Sequence, residues 1–327
     1  MTKALITGGA GFIGSHVAEA MVREGKCVHI LDDFSTGRVE NLSGVSDKVT
    51  ITSGSITDAQ TLVTAVRGCE TVIHLAAVAS VKTSVDAPLF AHAVNVNGTL
   101  NVLEAARIAG VRRVVFASSA AVYGDHSELP LNETLAPRCL SPYAAQKLLG
   151  EAYCRAYHTS YGLPTVALRF FNVFGPRQDP NSPYSGVISV FASRMVRGEA
   201  PVIYGDGRQT RDFVYVEDVV QAILAACEDD RAVGQVVNVA SGQQTSVLDL
   251  VGVLNECLGL DLGPSMAPAR LGEVRFSQGC NELAGKVLGW RVRVPLSGGL
   301  SRLLRAEYDL DHCDGSRSRR DPRAVGP

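Results

Sequence analysis

The segment Thr7-Gly8-Gly9-Ala10-Gly11-Phe12-Ile13-Gly14 limits what this chain can fold into more than any other stretch. It follows a short apolar run, Ala4 to Thr7, and opens an amphipathic stretch from Ser15 to Glu24. Glycines at 8, 11 and 14 let the backbone turn sharply, approach a bulky anion and pack a helix against a strand. The free N–H groups and positive dipole end of that helix then face the anion. The next apolar run, Val28 to Leu31, ends in Asp32. A carboxylate there accepts the hydroxyls of an adenosine ribose and disfavours a 2′-phosphate, which points to NAD rather than NADP. Asp33 is the neighbouring candidate for the same role. The spacing is GxxGxxG, not GxGxxG, and a glycine motif alone can be a tight turn. The strand before it and the acid after it make it a dinucleotide fingerprint.

The rest of the first half keeps the same rhythm. Strand-like runs at Thr71 to Leu75, Arg113 to Ala117 and Thr165 to Phe170 alternate with helical stretches such as Asn95 to Ala109 and Tyr143 to Ser160. Near-continuous apolar strands separated by helices predict an α/β fold of Rossmann type, a doubly wound parallel sheet covered on both faces. Ligands of such sheets bind beyond the carboxyl ends of the strands. Past Asn172 the pattern loosens. Gly175 to Gly186 reads as a long loop, followed by a helix near Ile188 to Arg197, a strand at Val202 to Tyr204, a helix at Val216 to Cys227 and a strand at Val236 to Val239. The expected division is a dinucleotide domain over 1–172 and a smaller α/β substrate domain over 173–310, with the option that the chain returns to the first sheet. The polar stretch 311–327 reads as a disordered tail.

Composition closes off other classes. The 327 residues are 46% hydrophobic and carry a net charge of −2 with no basic stripe, so no nucleic-acid partner is expected. No apolar run is long enough to span a membrane, and no secretory leader is visible, so cytoplasmic residence is expected. The eight cysteines include no CxxC pair and read as buried thiols rather than a disulfide framework. The seven histidines show no HxxxH or HExxH spacing, and no metal is expected.

The run Val115-Phe116-Ala117-Ser118-Ser119 ends a strand in small hydroxyl residues, and Tyr143 and Lys147 lie four apart downstream. On a helix they share a face. A tyrosine has an ordinary pKa of about 10, too high for a base at neutral pH, and a nearby ammonium is expected to lower it. Ser119 would hold the reacting oxygen. YxxxK is weak by itself; it gains meaning after a nucleotide fingerprint and a serine-bearing strand.

At this point the sequence resembles the extended short-chain dehydrogenases/reductases, of the UDP-glucose 4-epimerase type. The resemblance spans about Lys3 to Leu304. It rests on the glycine motif, His-Leu-Ala-Ala (74–77), Asn95-Val-Asn-Gly-Thr, Ser118-Ser119-Ala-Ala-Val-Tyr-Gly, Ser-Pro-Tyr143-Ala-Ala-Gln-Lys147, Leu-Arg-Phe-Phe-Asn172-Val-Phe-Gly-Pro-Arg and Gly-Asp-Gly-Arg-Gln-Thr-Arg211-Asp-Phe. It implies that Gly8, Gly11, Phe12, Ile13 and Gly14 contact the pyrophosphate and Asp32 the adenosine ribose. Ile56, Leu75, Ala76 and Ala77 would line the cofactor path, with Asn95 near its nicotinamide half. Tyr143 would be the base, Lys147 would hold the nicotinamide ribose, and Ser119 would bind the sugar 4-oxygen. Asn172 would meet the sugar diphosphate, Arg211 and Arg270 its phosphates, Glu273 the uridine ribose and Tyr204 the uracil. For Arg211 the plainer alternative is an ion pair with Asp206 or Asp212. Two positions depart from the pattern: Ser55 replaces an Asp, and Gln146 replaces the serine before Lys147.

The related dehydratases carry Asp-Glu after the catalytic hydroxyl, where this chain has Ala120 and Ala121. That disfavours dehydration and implies 4-epimerisation of a UDP-sugar through a 4-keto intermediate, with NAD retained. Ser277 falls at the position that gates the sugar pocket. Its small size implies UDP-glucose and UDP-galactose as substrates, with room for UDP-GlcNAc and UDP-GalNAc. The alternatives are a UDP-glucuronate 4-epimerase using Arg177 or Arg194, another nucleotide-sugar enzyme, or a catalytically silent NAD-binding regulator. The family pattern also implies a homodimer.

Overall fold

The computed structural model describes residues 3–179, 186–269 and 274–310. In the first half the elements are β1 (Lys3–Thr7), α1 (Phe12–Arg23), β2 (Cys27–Asp32), β3 (Val49–Ser53), α2 (Ala59–Ala65), β4 (Thr71–His74), α3 (Val81–Asp86), α4 (Pro88–His92), α5 (Thr99–Ile108), β5 (Arg113–Ser119), α6 (Pro142–Tyr161) and β6 (Thr165–Phe170). Then come β7 (Asn172–Phe174), α7 (Val187–Val196), β8 (Val202–Tyr204), β9 (Thr210–Arg211), β10 (Phe213–Tyr215), α8 (Val216–Glu228), β11 (Val236–Val239), β12 (Thr245–Ser246), α9 (Val247–Leu258), β13 (Ser265–Ala267), α10 (Glu282–Leu288) and α11 (Leu296–Tyr308).

The main sheet has seven parallel strands in the order β11-β6-β5-β4-β1-β2-β3. The central strands are apolar on both faces because helices cover both faces. On one side α1 and α8 bury Val17, Met21, Val219 and Ile223 against Ile6, Ile30 and Val115. On the other, α2, α5 and α6 bury Leu62, Leu103 and Cys154 against Leu5, Val72 and Phe116. The edge strand β3 is mostly exposed and rich in Thr and Ser. The chain reverses direction of winding between β1 and β4, which opens a crevice at the carboxyl ends of the strands.

Helix α6 carries the Tyr143/Lys147 face. Ser141 caps it through a bond from the Ala144 N–H, Pro142 starts it, and Gly162 in the left-handed conformation ends it. At Gly150 a Cβ would lie 2.3 Å from the Phe116 ring, so the glycine lets α6 settle directly onto β5. The helix expected over Asn95 to Ala109 begins as a π-helical turn, Ala93–Gly98, before α5. Such turns disturb the i→i−4 ladder and re-aim side chains.

The second lobe has its own core of Phe174, Ile188, Phe191, Leu250, Leu254 and Leu300. Strand β11 leaves this lobe and pairs with β6, so the chain does return to the first sheet after residue 173. Among the described residues no helix is long and apolar enough to cross a membrane.

Candidate active site

A cavity of about 560 Å³ runs along the carboxyl ends of the strands, from Asp32 and Ile56 past Gly8, Gly11 and Phe12 to Ser119, Tyr143, Lys147 and Asn172. Its floor under α1 is shaped by missing side chains. Gly8 has φ +72°, and a Cβ there would meet the Ala76 nitrogen at 2.7 Å. A Cβ at Gly14 would lie 2.1 Å from the Gly8 carbonyl oxygen. Gly11 is the N-cap of α1, and no acidic residue occupies its first turn. The N–H groups there thus face the cavity with nothing to compete for an anion. Asp32 ends β2 with its carboxylate accepting the Ala10 and Phe34 N–H groups at 2.9 Å each. It keeps further lone pairs for ribose hydroxyls. Burial pushes its pKa up, and the two N–H groups oppose that. Asp33 also borders the cavity, but its Oδ1 accepts the Ser35 N–H and hydroxyl. Gly8, Gly11, Phe12, Ile13, Gly14, Asp32, Ile56, Leu75, Ala76 and Ala77 all line this one cavity, and the cradle fits a dinucleotide.

At the other end, Ser119 closes β5. Its Oγ accepts the Ala121 N–H at 3.1 Å, which leaves its hydroxyl proton free for an oxygen in the cavity that Ser119 and Tyr143 both line. The Lys147 ammonium sits 5.9 Å from the Tyr143 ring centroid and 5.1 Å from that of Phe116, and donates to the Ala117 carbonyl at 2.8 Å. The expectation that Lys147 lowers the tyrosine pKa needs correction for the protein alone. Burial raises the Tyr143 pKa, only the Ser119 hydrogen bond opposes it, and burial brings Lys147 itself down to about 8. Burial drives both groups towards neutrality, while the ammonium is spent on the β5 carbonyl.

Asn95 is not on the cavity wall. It is buried, and its Oδ1 accepts the Val78 N–H at 2.8 Å while its Nδ2 donates to the Val78 carbonyl at 3.0 Å and to Gln146 Oε1 at 2.7 Å. It braces the cofactor-facing loop 75–79 from behind. Further residues to which the motifs assign no role also support the site. Ser118 donates to the buried Glu151, which accepts two bonds from Arg169 at 2.8 and 2.7 Å. His74 bridges Thr7 Oγ1 at 2.7 Å and Thr99 Oγ1 at 3.0 Å, and burial, helped by the Lys147 charge, holds its pKa down at about 3. They lie far apart in sequence, and only the fold pairs them.

The described residues expected around the uridine diphosphate and the sugar gate, Tyr204, Arg211 and Ser277, lie in the second lobe. Thr210 N–H donates to the Arg275 carbonyl, Ser277 N–H to Thr210 Oγ1, and Arg211 Nη1 to the Thr210 and Val274 carbonyls. Arg211 and Ser277 therefore sit on adjoining segments, with Tyr204 tied to them through Gln209. None of the three borders the cavity described above. Of the proposed ion partners of Arg211, Asp206 pairs with Arg275, and Asp212 accepts from Ser241, Gly242 and Gly279. Arg270 and Glu273 lie outside the described residues.

Comparison with known proteins agrees with this geometry. The family model described as the NAD dependent epimerase/dehydratase family matches residues 4–240. The chain is 41% identical over 304 residues, 92% of its length and 96% of the relative's, to the UDP-glucose 4-epimerase of Mycolicibacterium smegmatis. The structure of UDP-glucose 4-epimerase from Thermotoga maritima with UDP-glucose superposes with a TM-score of 0.89 at 38% identity, covering 93% of this chain and 98% of that one. A UDP-N-acetylglucosamine 4-epimerase from Methanobrevibacter ruminantium, in complex with UDP-N-acetylmuramic acid, gives 0.90 at 37% identity over 93% and 97%. The chain belongs to the NAD dependent epimerase/dehydratase family.

Proposed function

We propose that this protein is a UDP-sugar 4-epimerase. The observation that carries the reading is the placement of Ser119, Tyr143 and Lys147 at one end of the cavity whose other end is the Gly8–Asp32 cradle. Bound NAD supplies reversible hydride acceptance at the sugar C4. Ser119 would hold the C4 oxygen, and Tyr143 would take its proton as the C–H bond breaks, acting as the phenolate that the Lys147 ammonium and the positive charge of the oxidised cofactor favour once NAD is bound. Tyr143 returns that proton once the 4-keto sugar has turned its other face. Ala120 and Ala121 follow Ser119 with no acid, which argues against elimination of water. The intact Ser119, Tyr143 and Lys147 on one cavity argue against a silent regulator.

UDP-glucose and UDP-galactose are the proposed pair, with their N-acetyl counterparts admitted by the small, buried Ser277. UDP-glucuronate is less well supported. Arg177 borders the cavity, but its Nη2 is held by Glu19, and Arg194 is bonded to the Ala200 carbonyl and paired with Glu199. A homodimer is proposed through α3, α4 and α6, which expose Val81, Val85, Leu89 and Leu149. The cytoplasm is the proposed compartment, in keeping with buried thiols at Cys69, Cys154 and Cys227.

The test is a panel of UDP-sugars without added NAD, with Tyr143→Phe in parallel. The wild type should interconvert a C4 pair. The variant should lose ~100-fold or more of that rate while keeping its NAD. Full activity in Tyr143→Phe would refute the proton-transfer role.

A further inference from the structure

The loop 75–79 forms the cavity wall between the glycine cradle and the catalytic helix. It is clamped at two points. At its start, the Ala76 N–H reaches Thr7 Oγ1 at 3.4 Å and Leu75 N–H bonds the Thr7 carbonyl at 3.1 Å. Further on, both backbone groups of Val78 are taken by the Asn95 carboxamide. That carboxamide is fixed in turn. Its second N–H goes to Gln146 Oε1 at 2.7 Å, so both N–H donors and the oxygen have defined partners. The Asn95 backbone is also pinned, because its carbonyl accepts the Thr99 hydroxyl at 2.7 Å. Thr99 Oγ1 in turn meets His74 Nε2, whose other nitrogen meets Thr7 Oγ1.

Gln146 is buried on α6 directly before Lys147. Its amide ties the loop to the same helix that presents Tyr143 and Lys147. A serine side chain, the residue that the family resemblance leads one to expect here, is too short to span to Asn95 from this backbone position. Met has the length but no acceptor. Losing the acceptor leaves one Asn95 N–H buried without a partner and frees the carboxamide to rotate off Val78.

We infer that Gln146 is a positioning residue for the cofactor: through Asn95 it sets the 75–79 wall against the catalytic helix and slows the escape of NAD. It rests on NAD occupying the cavity, and not on which sugar is turned over.

The experiment uses the holoenzyme as purified, with Gln146→Met and Gln146→Ser as separate variants, so that a folding failure in one leaves the other to decide. Three quantities are read: the rate of NAD loss on dilution into NAD-free buffer, the melting temperature of the protein after NAD removal, and KM and kcat for the UDP-sugar. The expected result is NAD release roughly five- to tenfold faster, the effect of one buried hydrogen bond. KM for the sugar nucleotide should stay unchanged, and the NAD-free melting temperature should stay within about 2 °C. NAD release within twofold of wild type would overturn the inference. So would a loss that moves KM and the NAD-free melting temperature together, since that is general loosening. If no UDP-sugar is turned over by any form, the proposed reaction fails while the NAD measurement still decides the role of Gln146.

Discussion

Replacing Lys147 by Met should stabilise the protein while destroying its activity. The buried ammonium has its pKa brought from 10.5 down to about 8, which corresponds to roughly 3 to 4 kcal/mol at 1.36 kcal/mol per pH unit. That is the extent to which folding disfavours the charged form. Met removes the charge and fills the channel, but it leaves the Ala117 carbonyl without its donor, at a cost of about 1–2 kcal/mol. The net gain at pH 7 is then ~2 kcal/mol. With an unfolding entropy of about 2.1 cal/mol/K per residue, 327 residues convert this into a rise of ~3 °C. The sign follows from the lowered pKa. Below pH 8 the lysine is protonated in both states and the full penalty is present. Between about 8 and 10.5 the unfolded chain holds a proton that the folded chain has released, so wild-type stability rises with pH. The advantage of Met should therefore shrink across that window, vanish about 1.5 pH units above pH 8, and turn into a deficit near its top. Calorimetric melts of both proteins, freed of NAD, at pH 7, 8, 9 and 10 measure it. A gap that is constant with pH, or a wild type that is the more stable at pH 7, would show that folding does not disfavour the charged form of Lys147.

Three shorter tests address other parts of the site. Glu151→Gln leaves the Arg169 guanidinium buried without its anion, and should cost about 3–5 kcal/mol, or ~6 °C in a thermal melt; a fall under about 1 °C would show that the pair is not buried in solution. Gly14→Ala puts a methyl against the Gly8 carbonyl and should weaken NAD binding by roughly tenfold or more, read by fluorescence titration. Unchanged affinity would remove the cradle from the argument. Ser277→Tyr should suppress turnover of N-acetylated UDP-sugars while sparing UDP-glucose and UDP-galactose, and unaltered N-acetyl turnover would sink the gate assignment.

Much of the fold was readable because its strands are β-branched runs bounded by turn residues. Thr165–Phe170, Val202–Tyr204 and Val236–Val239 have the limits that their composition suggests. Strand β3 went unread, since Thr50, Thr52 and Ser53 on an exposed edge offer no continuous apolar signal. In the site, motif spacing located Gly8, Asp32, Ser119, Tyr143 and Lys147, all of which border one cavity. Spacing could not say where the Lys147 ammonium points. Its direction depends on Gly150 letting α6 onto Phe116, a contact between residues 34 apart. Nor could it separate a residue that touches the cavity from one that braces it. Asn95 sits in a familiar motif, yet its carboxamide is spent on Val78 and Gln146 through a π-helical turn that no propensity announces.

The return of β11 to the first sheet means that the two lobes are laced rather than strung. The chain leaves the sheet after β6, begins the second lobe, comes back through α8 and β11 to finish the first sheet, and then crosses again to complete the second lobe with α9 and α11. Helix α8, encoded beyond residue 173, packs on α1 and so forms part of the wall behind the glycine cradle. A fragment ending at residue 172 would expose the β6 edge and the apolar face meant for Val219 and Ile223, an invitation to aggregate. Neither half can be grafted or expressed as a cassette. A lesion in the second half that loosens α8 will surface as weakened dinucleotide binding, far from the residue that was changed.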